Sequence, residues 1–208
     1  MKLLFAILLV CAFGAGAFFL QTEGYTVLTT EGARRADVLR RPRPVPDVAV
    51  HDGRGKATTL LKELGSDPRV AIITFMYTRC VTVCVSSGIG LQQLQGRILA
   101  QGLQDQVRLL SISFDPADTP ERLARYEYGM NAAPDLWRAL GMADAVESAS
   151  LLNAFSVIVV PAPLGQYEHN AAYHVVTPDG RLTRIVDIDE TETLLRHAVA
   201  PRHGRKPT

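Results

Sequence analysis

The sequence predicts an α/β fold with a mixed central sheet, and three observations support this prediction. Two continuous apolar runs, "RVAIITFMY" and "QVRLLSISFD", have the composition of strands that are buried on both faces of a sheet. Each run is followed by a segment with the start signals or the periodicity of a helix, which is the order of elements in α/β proteins. Nearer the carboxyl end, "YHVVTPDGRLTRIVDI" has two alternating runs around "PDG" and predicts an antiparallel hairpin.

The first predicted element is an apolar segment at the amino terminus. Residues 1–20, "MKLLFAILLVCAFGAGAFFL", carry no charged side chain after Lys2, and their length is close to the roughly 18 to 20 residues that cross a bilayer. We interpret them as a membrane anchor. A cleaved signal peptide is the alternative, because Ala15 and Ala17 are small residues of the kind found at cleavage sites. Cys11 lies within this segment, and we interpret it as an apolar residue rather than a lipidation site.

The next segment is polar and rich in arginine. Residues 21–42 show no sustained apolar period, and we interpret them as a tether that leads into the extended, proline-rich "RPRPVPDV". The arginines would favour a cytoplasmic body, but long domains cross membranes largely regardless of charge, and no second apolar stretch returns the chain. We therefore predict a membrane-anchored body on the periplasmic or extracytoplasmic side, with a secreted form if the anchor is cleaved.

The predicted globular body covers residues 43–200 and is followed by a basic tail at residues 201–208. Its length suits one domain with a sizeable core. Within it, "VAVHDGRGKATTLLKEL" predicts a strand, a "DG" turn and an apolar return, and "DETETLLRHAV" predicts the last helix. "DTPERLARYEYG" predicts a helix that Asp118 or Thr119 caps, with Pro120 in its first turn. The formal net charge of +1 gives no electrostatic reason to expect nucleic acid as a partner.

Cys80 and Cys84 follow directly after the first buried run and precede a segment of helical periodicity. In an extended chain their Cα atoms would lie roughly 13 Å apart, beyond the ~7 Å limit for a disulfide. In a turn or a first helical turn they would lie within about 5 to 6.5 Å, so we expect neighbouring sulfurs. A helix start also lowers the pKa of a thiol, and reaction sites of α/β sheets collect at the carboxyl ends of strands.

Three roles are open to this pair of cysteines: a structural disulfide, a redox couple and half of a metal site. The disulfide is the weakest, because closing so short a loop removes little chain entropy. A metal site needs further ligands, and His169 is the strongest candidate because we expect it in a loop that can bring its imidazole over the strand edge. Two thiolates and an imidazole suit copper or zinc, and the spacing alone does not choose between them.

Three blocks of the sequence, taken in order, carry a resemblance to a known family. They are "TFMYTRCVTVC", "LLSISFDPADTPERLARY" and "EHNAAYHVVTPDGRL", and they stand in family order within residues 43–200. They resemble the strand with its CxxxC motif, the second strand with its DP and DTP signature, and the copper-binding histidine segment of the Sco/SenC family. The resemblance implies a thioredoxin-like three-layer fold behind an amino-terminal anchor.

The resemblance also implies a site and a function. Cys80, Cys84 and His169 would bind one copper ion, and the chain would deliver copper, or reducing equivalents, to the dinuclear copper site of cytochrome c oxidase. Its partner would be the copper-bearing subunit of that oxidase or another copper-handling protein. Asp115 matches an acidic position that the family has near its site.

Three hypotheses about function follow. The first is a membrane-tethered copper metallochaperone, a binding and transfer protein without turnover chemistry. The second is an enzyme, a thiol:disulfide oxidoreductase that uses Cys80 and Cys84, although dithiol enzymes of thioredoxin type more often use CxxC. The third is a structural zinc site. The chain departs from the family at Val85, where the family usually has proline, and at Asn170, where serine is common, and His174 is a rival to His169.

Overall fold

The computed structural model of the chain describes residues 2–21, 29–80, 83–142 and 144–199. For residues 21, 30 and 83–88 it describes the backbone and not the side chains. The amino-terminal segment forms a helix, α1, over Lys2–Gln21. Its stretch Lys2–Leu20 has a mean hydropathy of 2.7 and is long and apolar enough to cross a membrane, a property that export signals share. Within the described ranges this is the one helix that meets those criteria.

The remaining elements form a mixed sheet with helices. In chain order they are α2 (Thr30–Arg40), β1 (Arg43–Pro44), β2 (Ala49–Asp52), β3 (Ala57–Thr59), α3 (Leu60–Gly65), β4 (Val70–Met76), α4 (Val83–Ala100), β5 (Val107–Ser113), α5 (Pro120–Gly129), β6 (Trp137–Met142), α6 (Ala145–Phe155), β7 (Val159–Ala162), a 3-10 turn (Pro163–Gly165), β8 (Gln166–His169), β9 (Tyr173–Val176), β10 (Arg181–Val186) and α7 (Thr191–Ala198). The main sheet has the order β1-β10-β9-β4-β5-β6-β2-β3, and β7 and β8 form a separate two-stranded hairpin. Strands β4, β5 and β6 are parallel and the other pairs are antiparallel, which confirms the predicted mixed sheet.

The two predicted buried strands lie at the centre of the sheet. All seven residues of β4 and all seven of β5 are buried, because helices cover both faces of these strands. Successive side chains alternate between the faces, so Ile73 belongs to the core beneath α6 and Ile72 to the core beneath α4 and α7. This arrangement of helix, sheet and helix confirms the predicted three-layer α/β fold.

Strand β6 and helix α6 are among the elements that the sequence does not predict. Strand β6 pairs with β5, and its first residue, Trp137, is 1% exposed and donates its indole N–H to Ser111 Oγ at 2.9 Å. Helix α6 follows, and Asp144 caps it by accepting from the N–H groups of Val146 and Glu147, both at 2.8 Å. "WRALGM" is too short and too mixed to show a strand period, so its pairing comes from the neighbouring strand rather than from its own pattern.

Helix α2 lies within the segment that we interpreted as a tether. Its Val38 is fully buried in the core, Arg34 donates to the carbonyl of Ser156, and Arg35 pairs with Asp187 at 2.8 Å. The structure therefore differs from the expectation that residues 21–42 form a tether, because Thr30–Arg40 packs against the body and contacts β10. Arg34 and Arg35 contribute to this packing, and a search for an apolar period does not detect arginine contacts. The other proposed boundaries of the body and tail stay predictions.

Candidate metal-binding and redox site

The segment with the first cysteine leaves the carboxyl end of β4. Cys80 is half-buried and packs against the core cluster that contains Tyr77 and Phe114. Its N–H faces the carbonyl of Tyr77 at 3.4 Å, which closes a turn after the strand. Helix α4 begins at Val83, so the backbone of Cys84 lies in the first helical turn. The predicted position between strand and helix is confirmed, whereas the side chain of Cys84 lies outside the described part of the structure and the expected proximity of the sulfurs stays a prediction.

The turn before Cys80 is held by a buried carboxylate. Asp118 is 2% exposed and accepts a hydrogen bond from the backbone N–H of Thr78 at 2.7 Å and another from the hydroxyl of Thr78. The hydroxyl of Ser113, at the end of β5, donates to the same carboxylate at 2.6 Å. The sequence suggested Asp118 or Thr119 as the helix cap. The N-cap is Thr119, which makes no side-chain cap bond, and Asp118 fixes the cysteine turn to the neighbouring strand instead.

A second buried carboxylate pairs with the residue directly before Cys80. Asp115 is 2% exposed and accepts from Arg79 Nη2 at 2.7 Å and from Nε at 3.2 Å, while the Arg79 side chain stays 42% exposed. The hydrogen bond to Asp115 raises the pKa of Arg79 above its usual value. Asp115 therefore contacts Arg79, and the guanidinium of Arg79 places a positive charge next to the cysteine turn. Such a group favours the thiolate form of a nearby cysteine.

His169 lies at the end of the two-stranded hairpin rather than in a loop. It is the last residue of β8 and is opposite Val159 of β7. Its half-buried ring contacts Phe114 in an edge-on arrangement with centroids 5.2 Å apart. Its Nδ1 lies 3.2 Å from the carbonyl of Asn170, and because a carbonyl only accepts, Nδ1 carries the proton and Nε2 keeps a lone pair.

Burial lowers the pKa of His169 below its usual value, and the hydrogen bond to the Asn170 backbone opposes this effect. The neutral ring is the form that binds a metal ion. The lowered pKa of His169 therefore favours the neutral imidazole.

The hydroxyl of Tyr77 joins the two halves of the site. Tyr77 follows β4 and is 2% exposed. Its hydroxyl donates to Gln166 Oε1 at 3.0 Å and accepts from the N–H of Tyr167 at 3.1 Å, both in β8. Its ring also contacts Phe114, with centroids 5.5 Å apart. The chain that carries Cys80 and the strand that carries His169 are therefore fixed to each other by hydrogen bonds and aromatic packing.

The rival histidine, His174, is buried elsewhere in the sheet. It lies in β9, is 1% exposed, and its Nδ1 donates to the carbonyl of Ile73 at 3.2 Å. Its ring packs edge-on against Phe75 and Phe155. Burial lowers the pKa of His174 to about 3, so the ring is neutral and serves as part of the core. His51, in β2, lies with Nε2 3.3 Å from the carbonyl of Asp118.

The structure brings the segments of Cys80 and His169 to one edge of the sheet, and their shared contacts are Tyr77 and Phe114. Among the side chains that the structure describes, no three His, Cys, Asp or Glu residues lie close enough together to hold a metal ion. The third proposed ligand, Cys84, is not among those side chains. The assignment of all three as ligands stays a prediction.

Three positions near the site were missed or only partly assigned from the sequence: Tyr77, Thr78 and Asp118. The sequence indicates Tyr77 only as the last residue of a buried apolar run. The signal available was a tyrosine, rather than a phenylalanine, at the end of a buried apolar run, since a buried phenol needs a hydrogen-bond partner. No comparable local signal predicts that Asp118 holds the cysteine turn. Its partner Thr78 is distant in sequence and becomes a neighbour only through the parallel pairing of β4 and β5.

The fold and the site define the class of protein. The chain is a thioredoxin-like α/β protein with a cysteine pair at the junction of a central strand and a helix, and with a histidine strand fixed beside that junction. The family model described as SCO1/SenC matches residues 54–201. The chain belongs to the SCO1/SenC family.

Three relatives show the extent of the similarity. A curated SCO1 protein homolog of Bacillus subtilis (strain 168) is 28% identical over 118 residues, which is 55% of this chain and 60% of the relative. A solved structure of BsSco, described as a member of the Sco family of cytochrome c oxidase assembly proteins with a disulfide switch, has a TM-score of 0.64 at 24% identity and covers 76% of this chain and 92% of that chain. Bradyrhizobium japonicum ScoI with copper bound has a TM-score of 0.59 at 26% identity and covers 75% of this chain and 99% of that chain.

Proposed function

We propose that this chain is a membrane-tethered copper chaperone that holds copper through Cys80, Cys84 and His169. The observation that carries the proposal is the pair of hydrogen bonds between the Tyr77 hydroxyl and β8, since they fix the strand of His169 beside the cysteine turn. The family, and the copper bound in Bradyrhizobium japonicum ScoI, support copper as the metal.

The donor set explains how such a protein could both hold and release copper. Two thiolates and one imidazole are soft, low-coordinate ligands that suit Cu(I), and they can hold Cu(II) with a further weak ligand. With three protein ligands, the metal keeps an open side from which a recipient can take it. Oxidation of the two thiols to a disulfide, with release of two electrons and two protons, would remove both sulfur ligands, so loading would require the reduced pair.

We propose the dinuclear copper site of cytochrome c oxidase as the destination of the copper or of reducing equivalents. The similarity to BsSco, a member of the Sco family of cytochrome c oxidase assembly proteins, supports this destination. Helix α1 supports a membrane tether, and we propose that the body lies on the periplasmic or extracytoplasmic side. The direct partner would be the copper-bearing subunit of the oxidase or another copper-handling protein.

An anaerobic Cu(I) competition titration tests the proposed ligands. The full chain, reduced and in a non-ionic detergent, should bind one Cu(I), and the oxidised chain should bind none. His169→Ala should weaken Cu(I) binding by at least about tenfold, and Cys80→Ser or Cys84→Ser by more, since each removes a ligand. His197→Ala is the matched control, because this half-buried histidine lies at the end of α7. Equal affinities for His169→Ala and the wild type would exclude His169 as a ligand, and zinc in the purified protein in place of copper would favour the structural zinc site.

A thiol:disulfide oxidoreductase is the second candidate, and one observation favours it. The backbone of Cys84 lies in the first turn of α4, where the positive end of the helix dipole favours a thiolate. An oxidoreductase would turn over a disulfide substrate at a rate that His169→Ala leaves intact and that Cys80→Ser abolishes. A copper chaperone would lose Cu(I) binding in both variants.

A further inference from the structure

A groove beside the cysteine turn carries three arginines, and two of them, Arg122 and Arg125, have no part in the proposed copper site. It has a volume of about 410 Å³ and lies between the turn after β4 and helix α5. Its described lining includes Arg79, Arg122 and Arg125 on its charged part and Tyr126 and Met130 on its apolar part. It therefore adjoins the residue next to Cys80 and offers both charged and apolar contacts.

Two of the three arginines are held in place by backbone carbonyls and not by acidic side chains. Arg122 Nη1 donates to the carbonyl of Ala117 at 2.9 Å, and Arg125 Nε donates to the carbonyl of Glu121 at 3.2 Å. Among the described residues, neither guanidinium has a carboxylate within 4.0 Å. A carbonyl orients a guanidinium without neutralising it, so both groups keep their charge and spare donors.

The acidic groups near the groove do not line it, since no aspartate or glutamate is among its described lining residues. Asp115 is bound by Arg79, and Asp118 is enclosed by Thr78 and Ser113. Glu121 is exposed, and its hydrogen bond with the side chain of Thr119 lowers its pKa.

The sequence adds an independent observation. Residues 68–104, which include β4, the cysteine turn and α4, contain no aspartate or glutamate at all. By sequence, residues 81–88 therefore carry no carboxylate. Because the whole chain has a formal net charge of +1, the positive charge at this edge is local and would not arise from the overall composition.

We infer that this groove binds an acidic segment of the protein with which the chain exchanges copper. The inference rests on the proposed function, because it assigns the groove to the partner of that same site. Carboxylates of the partner would pair with Arg122 and Arg125, and an apolar side chain of the same segment would contact Tyr126 and Met130. Binding here would bring the metal site of the partner to the Cys80 turn, since Arg79 lines the groove and directly precedes Cys80.

A binding experiment with a defined acidic probe tests the inference. The full chain in a non-ionic detergent is titrated against a fluorescein-labelled hexaglutamate peptide, with fluorescence anisotropy as the readout at about 25 mM and about 150 mM salt. We expect Arg122→Gln with Arg125→Gln to weaken peptide binding at least about tenfold, and we expect the higher salt to weaken wild-type binding because salt screens exposed charges. Cu(I) affinity of the reduced variant should equal that of the wild type.

The matched control removes the same charge elsewhere. Arg54 is exposed on the turn after β2, and Arg181 is exposed and donates to the carbonyl of Pro42 at 2.8 Å, so it resembles Arg122 in its bonding. Arg54→Gln with Arg181→Gln should change peptide binding by less than about twofold. Equal losses in the two double variants would show a net-charge effect and overturn the inference.

Two further outcomes would also overturn the inference. No binding of the peptide to the wild type at about 25 mM salt would do so, as would displacement of the peptide by phosphatidylglycerol mixed into the micelles, which would assign the groove to a membrane surface. A loss of Cu(I) binding in His169→Ala, together with unchanged peptide binding by that variant, separates the two proposals. The copper assignment and the groove assignment can therefore fail independently.

Discussion

His169 and His174 are five positions apart in the sequence and occupy different environments in the fold. His169 ends the β7–β8 hairpin, is half-buried, and places its ring edge-on to Phe114. His174 lies in the main sheet between Phe75 and Phe155, is 1% exposed, and donates its Nδ1 proton to Ile73. The difference shows that a sheet position, and not the residue type, decides whether a histidine can act as a ligand or contributes to the core.

The largest expected effect separates the two histidines by stability. His174→Ala should lower the free energy of unfolding by about 2 to 4 kcal/mol, because it leaves a cavity between two aromatic rings and frees the carbonyl of Ile73. His169→Ala should lower it by less than about 1 kcal/mol, because its ring is only half-buried. Urea denaturation of the copper-free chain measures both. A larger loss for His169→Ala than for His174→Ala would contradict the comparison.

The second expected effect is a pH dependence of the free energy of unfolding that arises from the titration of His174. Its pKa is about 3 in the folded chain and 6.5 without burial, so the unfolded chain binds more protons between these values. Stability from this group is present above pH 6.5 and is lost as the pH falls, by about 2 kcal/mol between pH 7.5 and pH 5.

His174→Phe provides the control for this pH dependence, because it keeps an aromatic ring in the core and removes the titrating group. The difference between the wild-type and variant free energies of unfolding should change over that pH range. A difference that is constant between pH 7.5 and pH 5 would show that His174 does not titrate as its burial requires.

A smaller effect is expected at the bridge between the two halves of the site. Tyr77→Phe removes the hydroxyl that binds Gln166 and Tyr167 but keeps the ring packing against Phe114. We expect a loss of about 1 to 2 kcal/mol in the free energy of unfolding, because the N–H of Tyr167 loses its partner. Cu(I) affinity should fall by about threefold, because the strand of His169 is less well fixed.

The control for Tyr77 is Tyr128→Phe, since Tyr128 is 87% exposed and its hydroxyl makes no described contact with the site. It should change neither stability nor Cu(I) affinity. Unchanged Cu(I) affinity in Tyr77→Phe would show that the hydrogen bonds to β8 do not organise the ligands.

The smallest effect is expected at Asn170, which follows His169. Its Oδ1 accepts from the N–H of Ile158 at 2.7 Å, and its Nδ2 donates to the carbonyl of Ser156 at 3.2 Å, so it joins the base of the hairpin to the end of α6. Asn170→Ser, which introduces the residue common in the family, should cost about 0.5 to 1 kcal/mol because a serine cannot span both groups. Thermal unfolding measures this loss, with the exposed Asn153→Ser as the control. Stability equal to that of the wild type would show that these two bonds are dispensable.

Much of the fold could be predicted because its central elements carry strong local signals. The strands β4 and β5, the helices α4, α5 and α7, and the β9–β10 hairpin all lie where the apolar runs, helix starts and "PDG" turn indicated them. Among the elements that were missed, β6 and α6 have weak patterns of their own, and α2 packs partly through arginine side chains. Such elements depend on pairing and ion contacts with distant residues, which no local window contains.

For the candidate site, the sequence by itself determined the chemical groups and their family: the cysteine pair at the end of a buried strand, a histidine near the final hairpin, and the motif order of SCO1/SenC proteins. The tertiary structure alone decided which histidine lies at the site edge, which carboxylates hold the cysteine turn, and that Tyr77 joins β4 to β8. The physical reason is distance along the chain: Thr78 meets Asp118 and Tyr77 meets Tyr167 only after parallel strand pairing and hairpin packing bring separate segments together.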